Sequence, residues 1–344
     1  MLAPLLSIED LAVAFRTEDG AFRTVDGAFR TEDGEVTPVR GVSLSVAANE
    51  TVAVVGESGS GKSVTSLAVM GLLPRPSGPI SAGRILFRRR SGAVIDLATA
   101  SAATVRSLRG AEIAMIFQEP MTSLNPVLSA GEQIAEAVRL HLNLDRHKAW
   151  ARAVEMLDLV EIPDAARRAG DYPHHMSGGM RQRVMIALAM SCNPALLIAD
   201  EPTTALDVTI QAQVLELIDR LRRETGMGVL FVTHNLGVVA EVADRVTVMY
   251  AGQVVESAPV RELFRSPRHP YTRALLDCLP ARAALGADGR RVVRSIPGQV
   301  GPVDRGCAFA PRCAMAQARC GDEAPAIEAD DARLMRCLRW REFA

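Results

Sequence analysis

Residues 56–63 read GESGSGKS, a glycine-rich stretch that could bind the phosphates of a nucleotide. It follows the apolar run TVAVV and precedes the helical pattern KSVTSLAVM, which is the context that such a loop requires. Glycines let backbone N–H groups point at phosphate oxygens, and the start of a helix favours an anion. The residues expected to contact the nucleotide are Gly56, Glu57, Ser58, Gly59, Ser60, Gly61, Lys62, Ser63 and Val64.

Two residues of this loop and two distant carboxylates could together catalyse phosphoryl transfer with the help of Mg²⁺. Lys62 is expected to reach the β- and γ-phosphates, and the hydroxyl of Ser63 to bind Mg²⁺. Far along the chain, the apolar run ALLIAD ends at Asp200, and Glu201 follows it. Asp200 is suited to holding Mg²⁺ through its water shell, and Glu201 to polarising the attacking water.

Alternating strands and helices should position these residues. Short runs of Val, Ile and Leu at 51–56, 195–200 and 228–233 are each followed by a helical pattern. Continuous apolar strands alternating with helices predict an α/β fold, with a parallel sheet covered on both faces. The stretch from about 100 to 190 is mostly helical in pattern and indicates an inserted helical subdomain. The region before residue 50 alternates more, which favours an antiparallel sheet against the core.

Composition excludes several classes of protein. The chain has 344 residues, enough for a sizeable core and two domains, and its formal net charge of −1 argues against a nucleic-acid partner. No apolar run approaches the ~18 residues that span a bilayer, and the first residues lack the basic region of a signal peptide. We therefore expect a cytoplasmic chain, whose six cysteines are thiols or metal ligands rather than disulfides.

A more specific motif lies between the phosphate loop and the carboxylates. Residues 176–183 read MSGGMRQR, and this stretch resembles the signature sequence of ABC ATPases. Three further motifs of that family then fall into order: Gln118 in IFQEP resembles the Q-loop, residues 205–207 (ALD) the D-loop, and His234 in FVTHN the switch histidine. The resemblance covers about residues 6–257. P-loop GTPases and kinases lack such a signature.

The resemblance implies an enzyme that hydrolyses ATP with Mg²⁺, built as a P-loop ABC ATPase core with an antiparallel β subdomain and an inserted helical subdomain. It implies that Gln118 contacts Mg²⁺ and that Asp207 works across a dimer interface. It also implies catalytic roles for Lys62, Glu201 and His234. In this family the signature closes on the ATP of an opposite cassette, and its residues here are Ser177, Gly178 and Gly179.

Three segments resemble the ATPase subunits of peptide-type importers, the oligopeptide, dipeptide and nickel group. They are QEPMTSLNP (118–126), ADEPTTALDVTIQAQVLELI (199–218) and HPYTRALL (269–276). The resemblance implies a motor that energises uptake of di- or oligopeptides, with nickel or another small solute as the alternative cargo. The first segment follows the Q-loop, where such cassettes receive a helix of the permease.

Several partners follow from the same resemblance. A second, related ATPase chain and two transmembrane permease subunits are implied, with an extracytoplasmic substrate-binding protein as an indirect partner. The chain would then lie on the cytoplasmic face of the inner membrane as a peripheral subunit. A soluble ABC ATPase without a transport role is the alternative from another class. A single cassette, the absence of heptads and the neutral charge balance disfavour it.

A change in composition near Ser257 divides the chain into a cassette, 1–257, and a C-terminal extension, 258–344. The extension is rich in Pro and Arg. Its four cysteines have the spacing C-x5-C-x6-C-x16-C, and they are Cys307, Cys313, Cys320 and Cys337. A 4Fe–4S cluster accepts four thiolates at varied spacings, zinc prefers C-x2–4-C pairs, and unligated thiols are the third reading. The resemblance to the importer group implies the iron–sulfur cluster.

The segment Phe15–Gly34 repeats the unit FRTEDG three times, with Val in place of Glu at position 25. The repeat period of seven residues, six in the unit and one linking Ala, is too short to form a solenoid. An aromatic residue near the end of the first strand stacks on adenine in ABC ATPases, and Phe15 holds that place. Phe22 and Phe29 are competing candidates. The extra copies are interpreted as a tandem expansion of a surface hairpin, which costs little because loop lengthening is entropically cheap.

Overall fold

The structure of the protein is a computed structural model that describes most of the chain. The described residues are 4–16, 21–24, 27–30, 35–74, 80–117, 123–203, 206–282, 284–285, 291–292, 295–301 and 305–343. Among the helices within these ranges, none combines the length and the apolar character needed to cross a membrane.

The strands and helices are numbered along the chain. The strands are β1 (Leu6–Arg16), β2 (Ala21–Thr24), β3 (Gly27–Arg30), β4 (Glu35–Val46), β5 (Thr51–Val55), β6 (Ile80–Arg88), β7 (Val94–Asp96), β8 (Ile113–Ile116), β9 (Leu196–Asp200), β10 (Gly228–Thr233), β11 (Arg245–Tyr250), β12 (Gln253–Pro259), β13 (Ala284–Leu285), β14 (Arg291–Val292), β15 (Glu328–Asp330) and β16 (Arg333–Met335). The α-helices are α1 (Lys62–Val69), α2 (Ala102–Leu108), α3 (Ala130–Leu142), α4 (Arg146–Leu159), α5 (Ala165–Arg168), α6 (Gly178–Met190), α7 (Val208–Thr225), α8 (Leu236–Val242), α9 (Val260–Arg265), α10 (Pro270–Asp277) and α11 (Ala318–Asp322).

The central sheet confirms the predicted α/β fold. Its strands run in the order β15–β16–β12–β11–β5–β10–β9–β8, and β10 pairs in parallel with both β5 and β9. Every residue of β5, β9 and β10 is buried, which explains why these strands are apolar except at their ends. Because these strands are parallel, their carboxyl ends open at one edge of the sheet. The phosphate loop, Glu201 and His234 follow those three ends.

A second sheet, in the order β4–β1–β6–β7, confirms the antiparallel sheet predicted for the first part of the chain. β4 returns beside β1, with Phe15 opposite Val36 and Leu6 opposite Val46. β6 pairs with the other side of β1. The buried face of this sheet shares one hydrophobic cluster with α1 and with residues of the central sheet. The helix that follows the phosphate loop therefore packs against both sheets.

Part of the repeated segment forms the predicted hairpin. β2 and β3 pair with each other in antiparallel fashion, and the backbone of Phe22 lies opposite that of Phe29. Residues 17–20, 25–26 and 31–34 of the repeat lie outside the described residues.

Helices α3 to α6 form the inserted helical region. A capping box starts α3: Ser129 Oγ accepts from the Glu132 N–H at 3.2 Å, and the Glu132 carboxylate accepts from the Ser129 N–H at 3.0 Å. Ile134, Val138 and Ala149 are fully buried where α3 and α4 meet. The interval 100–190 is less uniformly helical than its pattern predicts, because β8 lies within it and joins the central sheet. A four-residue apolar run does not distinguish a strand from a helix.

The C-terminal extension continues the central sheet. β16 pairs with β12, with Glu256 opposite Met335 and Ser257 opposite Leu334, and β15 pairs with β16. The boundary predicted near Ser257 therefore lies inside a strand that both parts of the chain share. Sequence reasoning missed this join because β15 and β16 have three residues each and carry no clear alternation.

A buried carboxylate ties the extension to the sheet. Glu256 has no exposed surface, and its two oxygens accept the backbone N–H groups of Arg268 and His269, each at 2.9 Å. The Arg333 guanidinium lies 3.9 Å from one of these oxygens and 2.9 Å from the Glu262 carboxylate. Burial raises the pKa of Glu256, so its hydrogen bonds must offset a cost of desolvation.

We expect Glu256→Ala to lower the free energy of unfolding by about 3 kcal/mol, because it leaves the N–H groups of Arg268 and His269 without their acceptor and removes one of the two carboxylates beside the buried Arg333. Glu262→Ala removes the other carboxylate that contacts Arg333. Because the Glu262 side chain is half exposed, this change should lower the free energy of unfolding by about 1 kcal/mol or less. Denaturant unfolding of both variants measures the difference. Equal losses would show that Glu256 does not anchor the extension.

Candidate functional site

The phosphate loop occupies the turn between β5 and α1. Lys62 is the first residue of α1, and its side chain is buried in the loop. Its Nζ donates to the carbonyl oxygens of Gly56 at 2.9 Å and Glu57 at 3.0 Å, and lies 3.4 Å from Ser60 Oγ. The ammonium thus lies at the centre of the loop, which is where the phosphates of a nucleotide would meet it.

Two glycines of the loop are sterically required. Gly61 has a φ of +95°, and a Cβ at this position would lie 2.3 Å from the carbonyl oxygen of Pro38. At Gly56, a Cβ would lie 2.2 Å from the carbonyl oxygen of Met249. Backbone atoms of β4 and β11 therefore lie so close to the loop that only glycine, which has no Cβ, fits at these two positions.

The two residues predicted to hold Mg²⁺ meet in the structure. Ser63 Oγ donates to Asp200 Oδ1 at 3.3 Å, although 137 positions separate them in the sequence. Both side chains are buried beside the phosphate loop. A hydroxyl and a carboxylate supply the oxygen ligands that Mg²⁺ prefers. Gln118, the third predicted ligand, lies outside the described residues.

Glu201 and His234 also come together. His234 Nδ1 lies 2.8 Å from Glu201 Oε1, with the imidazole largely exposed and the carboxylate largely buried. Glu201 has a φ of +47°, and its N–H donates to the carbonyl of Val232 at 2.8 Å, which fixes the residue to the end of β10. A carboxylate and an imidazole in contact beside a metal site can orient a water molecule and accept its proton.

The signature lies at the start of α6. Ser177 is the N-cap residue, and its side chain accepts from the N–H of Met180 at 3.3 Å. Ser177 and Gly178 are exposed, whereas Gly179 packs towards Ile210. The start of a 13-residue helix is thus exposed at Ser177 and Gly178, where it could receive an anion from another molecule.

A buried glutamine joins the signature helix, α6, to the residues that follow β9. Gln182 on α6 is buried, and its Nε2 donates to the carbonyl oxygen of Pro202, the residue that follows Glu201. Asp207, the predicted interface residue, is the N-cap of α7 and accepts from the N–H of Ile210 at 3.0 Å. It is exposed, and Ala205 before it lies outside the described residues.

The environment of Phe15 does not favour its predicted role as the adenine platform. Its side chain is 1% exposed and belongs to the hydrophobic cluster between the two sheets. A ring in this position presents no face to a nucleotide base. The side chains of Phe22 and Phe29, the competing candidates, lie outside the described residues, so the residue that stacks on adenine stays a prediction.

Sequence reasoning missed two contacts that the C-terminal extension makes with the phosphate loop. Arg312 Nη1 lies 3.2 and 3.0 Å from the two carboxylate oxygens of Glu57. The N–H of Glu57 donates to the hydroxyl of Tyr271 at 3.0 Å. The tyrosine belongs to the HPYTRALL segment, which was a local signal for a role. Arg312 carries no such signal, because nothing near it in the sequence indicates its distant partner.

The four late cysteines line one cavity of about 20 Å³, together with His269, Phe309 and several apolar residues. All four are thiols in the structure, and they are Cys307, Cys313, Cys320 and Cys337. Backbone N–H groups point at the sulfurs; that of Arg339, for example, donates to Cys337 Sγ at 3.4 Å. Among the described residues, no group of three or more Cys, His, Asp or Glu side chains is arranged to hold a metal ion.

The thiols of this cavity influence each other electrostatically. Burial raises the pKa of Cys337 to about 11, and its three cysteine neighbours in the cavity add to the shift. Burial likewise raises the pKa values of Cys307 and Cys313. The pocket therefore opposes thiolates at neutral pH unless a cation compensates their charge.

Comparison with protein families identifies the class of protein. The family model described as "ABC transporter" matches residues 39–204, and the model described as "Oligopeptide/dipeptide transporter, C-terminal region" matches residues 255–320. The chain therefore belongs to the ABC transporter family, and it is an ATP-binding cassette that hydrolyses ATP. Its C-terminal region is of the kind found in oligopeptide and dipeptide transporters.

Individual relatives agree with this assignment. A protein of Brucella abortus (strain 2308) that carries the name of a peptide import ATP-binding protein is 53% identical over 347 aligned residues, covering 99% of this chain and 98% of the relative. The glutathione import ATP-binding protein GsiA of Escherichia coli O157:H7 is 57% identical over 281 aligned residues, covering 82% of this chain. This alignment spans 43% of GsiA.

Solved structures share the fold. The ATP-binding cassette MJ0796, described as a dimer in a post-hydrolysis state bound to ADP and Pi, superimposes with a TM-score of 0.61 at 24% sequence identity. The match covers 74% of this chain and 99% of MJ0796. CbiO1 of Clostridium perfringens gives a TM-score of 0.57.

Proposed function

We propose that this chain is the motor subunit of an importer for di- or oligopeptides, which uses ATP hydrolysis to drive uptake through separate membrane permeases. The observation that carries the proposal is the meeting of Ser63 with Asp200 and of Glu201 with His234 at the edge of the sheet that holds the phosphate loop. The names of the relatives, which refer to peptide and glutathione import, support a peptide-type cargo.

Each residue at this edge has a proposed role. Lys62 exchanges its carbonyl partners for oxygens of the β- and γ-phosphates when ATP enters. Ser63 and Asp200, together with Gln118, hold Mg²⁺, which when bound offsets negative charge on the phosphates. Glu201 polarises the attacking water. His234, in contact with that carboxylate, keeps it oriented and reaches the γ-phosphate.

We infer that the active form contains two cassettes. Ser177 and Gly178 are exposed at the start of α6, where the amides and the helix dipole favour a negatively charged group. A nucleotide held by a second, related chain would supply that group. The dimeric form of the cassette MJ0796 supports this arrangement. Closure of the pair around ATP and reopening after hydrolysis would then shift the attached permeases between two conformations.

The permeases are proposed to dock beside residues 118–126. Within the described part of this region, residues 123–126, Leu124 is buried in the same hydrophobic cluster as residues of α3–α6. Phe117 and Val127 on either side are 40% and 74% exposed, so apolar surface is available next to it. The chain would accordingly lie at the cytoplasmic face of the inner membrane, with a substrate-binding protein acting on the opposite side.

Replacing Glu201 by Gln should abolish ATP turnover while ATP stays bound, because the amide keeps the shape of the side chain but cannot accept the proton of water. We expect turnover to fall by about 100-fold or more. Phosphate release and retention of radiolabelled ATP measure the two effects. Glu216→Gln, an exposed position on α7, is the control and should leave both unchanged. Full turnover in Glu201→Gln would remove this residue from its proposed role.

The two-cassette arrangement can be tested at Ser177 with a pair of variants. Asp and Asn both cap a helix, so Ser177→Asp and Ser177→Asn should be as stable as the original chain. The added charge of Asp should repel the triphosphate of the opposite cassette and lower ATPase activity by about 100-fold relative to Asn. Steady-state ATPase assays and thermal unfolding measure the two effects. Equal activity of the two variants would contradict closure of the signature on ATP.

We propose further that the four cysteines of the extension hold a 4Fe–4S cluster. The supporting observation is that all four cysteines line one cavity and that backbone N–H groups donate to the sulfurs of Cys307, Cys313 and Cys337. Such N–H···S hydrogen bonds stabilise thiolates that bind a cluster. The loops would adjust when the ligand binds, because the cavity as it stands is little larger than a water molecule.

Anaerobic purification followed by iron, sulfide and zinc analysis tests the cysteine site. We expect iron and acid-labile sulfide in equal amounts, about four of each per chain, with broad absorbance in the visible region. Cys320→Ser should lose both, whereas Cys192→Ser, at a buried cysteine of the helical region, should keep both. One zinc per chain without iron would identify a structural zinc site instead, and absence of metal would refute a cofactor at these thiols.

A further inference from the structure

The C-terminal extension reaches into the nucleotide site through Arg312. The side chain of Arg312 is 5% exposed, and its Nη1 contacts both carboxylate oxygens of Glu57 within the phosphate loop. Glu57 is the second residue of the loop, and its carbonyl is one of the acceptors that hold Lys62. Arg312 therefore contacts a residue that in turn contacts the lysine expected to bind the phosphates.

The guanidinium of Arg312 is held on every side. Its Nε donates to the carbonyl of Pro297 at 2.9 Å, and its Nη2 to the carbonyl of Ile296 at 3.3 Å. Its Nη1 also lies 3.3 Å from the Tyr250 hydroxyl, and its Cζ lies 5.7 Å from the centre of that ring. Burial alone would lower the pKa of Arg312, but Tyr250 and Glu57 outweigh it, so the group stays a cation.

Tyr271 makes a second contact with the same loop residue. Its hydroxyl accepts from the Glu57 N–H at 3.0 Å, and its ring packs against Tyr250 and Phe309 at centroid distances of 4.7 and 5.2 Å. Tyr271 is fully buried. The side chain and the backbone of Glu57 are thus each fixed by a residue of the extension.

The residues that contact Glu57 also lie next to the cysteine cavity. Phe309 lines that cavity and packs on Tyr250, while Arg312 immediately precedes Cys313. The backbone between the first two cysteines is a tight turn, in which Ala310 N–H donates to the Cys307 carbonyl and Cys313 N–H to the Ala310 carbonyl. Arg312 thus belongs to the same turn as two of the cysteines that line the cavity.

We propose that Arg312 is a positioning residue of the nucleotide site, through which the cysteine pocket controls the affinity of the phosphate loop for ATP. The physical reason is electrostatic. A carboxylate in a loop that must receive a triphosphate repels its ligand unless a cation compensates the charge, and Arg312 supplies that cation from outside the loop. The inference rests on the proposed role of the phosphate loop, and its experiment includes a test of that role.

The experiment compares ATP binding and steady-state kinetics in purified variants of the full chain. Arg312→Ala should raise the Kd and the KM for ATP by about tenfold with little change in kcat, because an unpaired Glu57 weakens binding without touching the reacting atoms. Arg305→Ala is the matched control: it removes an exposed arginine of the same extension, paired with Asp322 at 3.7 Å, and should leave both constants unchanged.

A charge rescue separates electrostatics from damage to the fold. In the Arg312→Ala chain, the additional change Glu57→Gln removes the uncompensated carboxylate and should restore most of the affinity for ATP. The affinity of Arg312→Lys for ATP should lie between that of the original chain and that of Arg312→Ala, because an ammonium can pair with Glu57 but cannot also satisfy both carbonyls. Unchanged affinity in Arg312→Ala, or loss of affinity that Glu57→Gln does not restore, would overturn the proposal.

The link to the cysteines is tested by a double-mutant cycle. Cys313→Ser should weaken ATP binding when Arg312 is present and have no further effect in the Arg312→Ala chain, because both changes act through the same contact. Additive effects would overturn the control by the cysteine pocket. Lys62→Ala, measured in parallel, tests the phosphate loop itself: retained ATP affinity there would refute the proposed function, whereas its loss leaves the other variants to decide on Arg312.

Discussion

The parallel pairing of β10 between β5 and β9 is the constraint on which the site depends. In that register Val232 lies opposite both Val54 and Asp200, so the strand ends that precede the phosphate loop, Glu201 and His234 share one edge. Moving one strand by two residues would displace its end by about 6–7 Å and separate Ser63 from Asp200. The buried apolar faces of these strands thus do more than stabilise the fold, because they hold the candidate catalytic groups of distant segments within hydrogen-bond distance.

The C-terminal extension is joined to the cassette by strand pairing, hydrogen bonds and side-chain contacts. β16 pairs with β12, the buried Glu256 accepts two N–H groups of the extension, and Arg312 and Tyr271 contact the phosphate loop. A transport ATPase of this construction can respond at its nucleotide site to events in its extension. The cost of the arrangement is a set of buried charges, each of which needs its partner.

Much of the fold and of the nucleotide site is readable from the sequence, because the signals are local. Continuous apolar runs predicted β5, β9 and β10, and the glycine pattern of residues 56–63 predicted a phosphate loop between a strand and a helix. The strands β8, β15 and β16 are among those that were not predicted. Each has only three or four residues, and runs of that length do not establish a period.

The sequence by itself determined which residue types could form the site, the position of the phosphate loop and the family to which the chain belongs. Only the tertiary structure decided that Phe15 is buried, that four cysteines line one cavity, and that Arg312 meets Glu57 across 255 positions. The physical reason is the distance along the sequence over which each kind of interaction acts. Capping, turns and periodicity act between residues a few positions apart, whereas these contacts depend on how separately formed elements pack against each other.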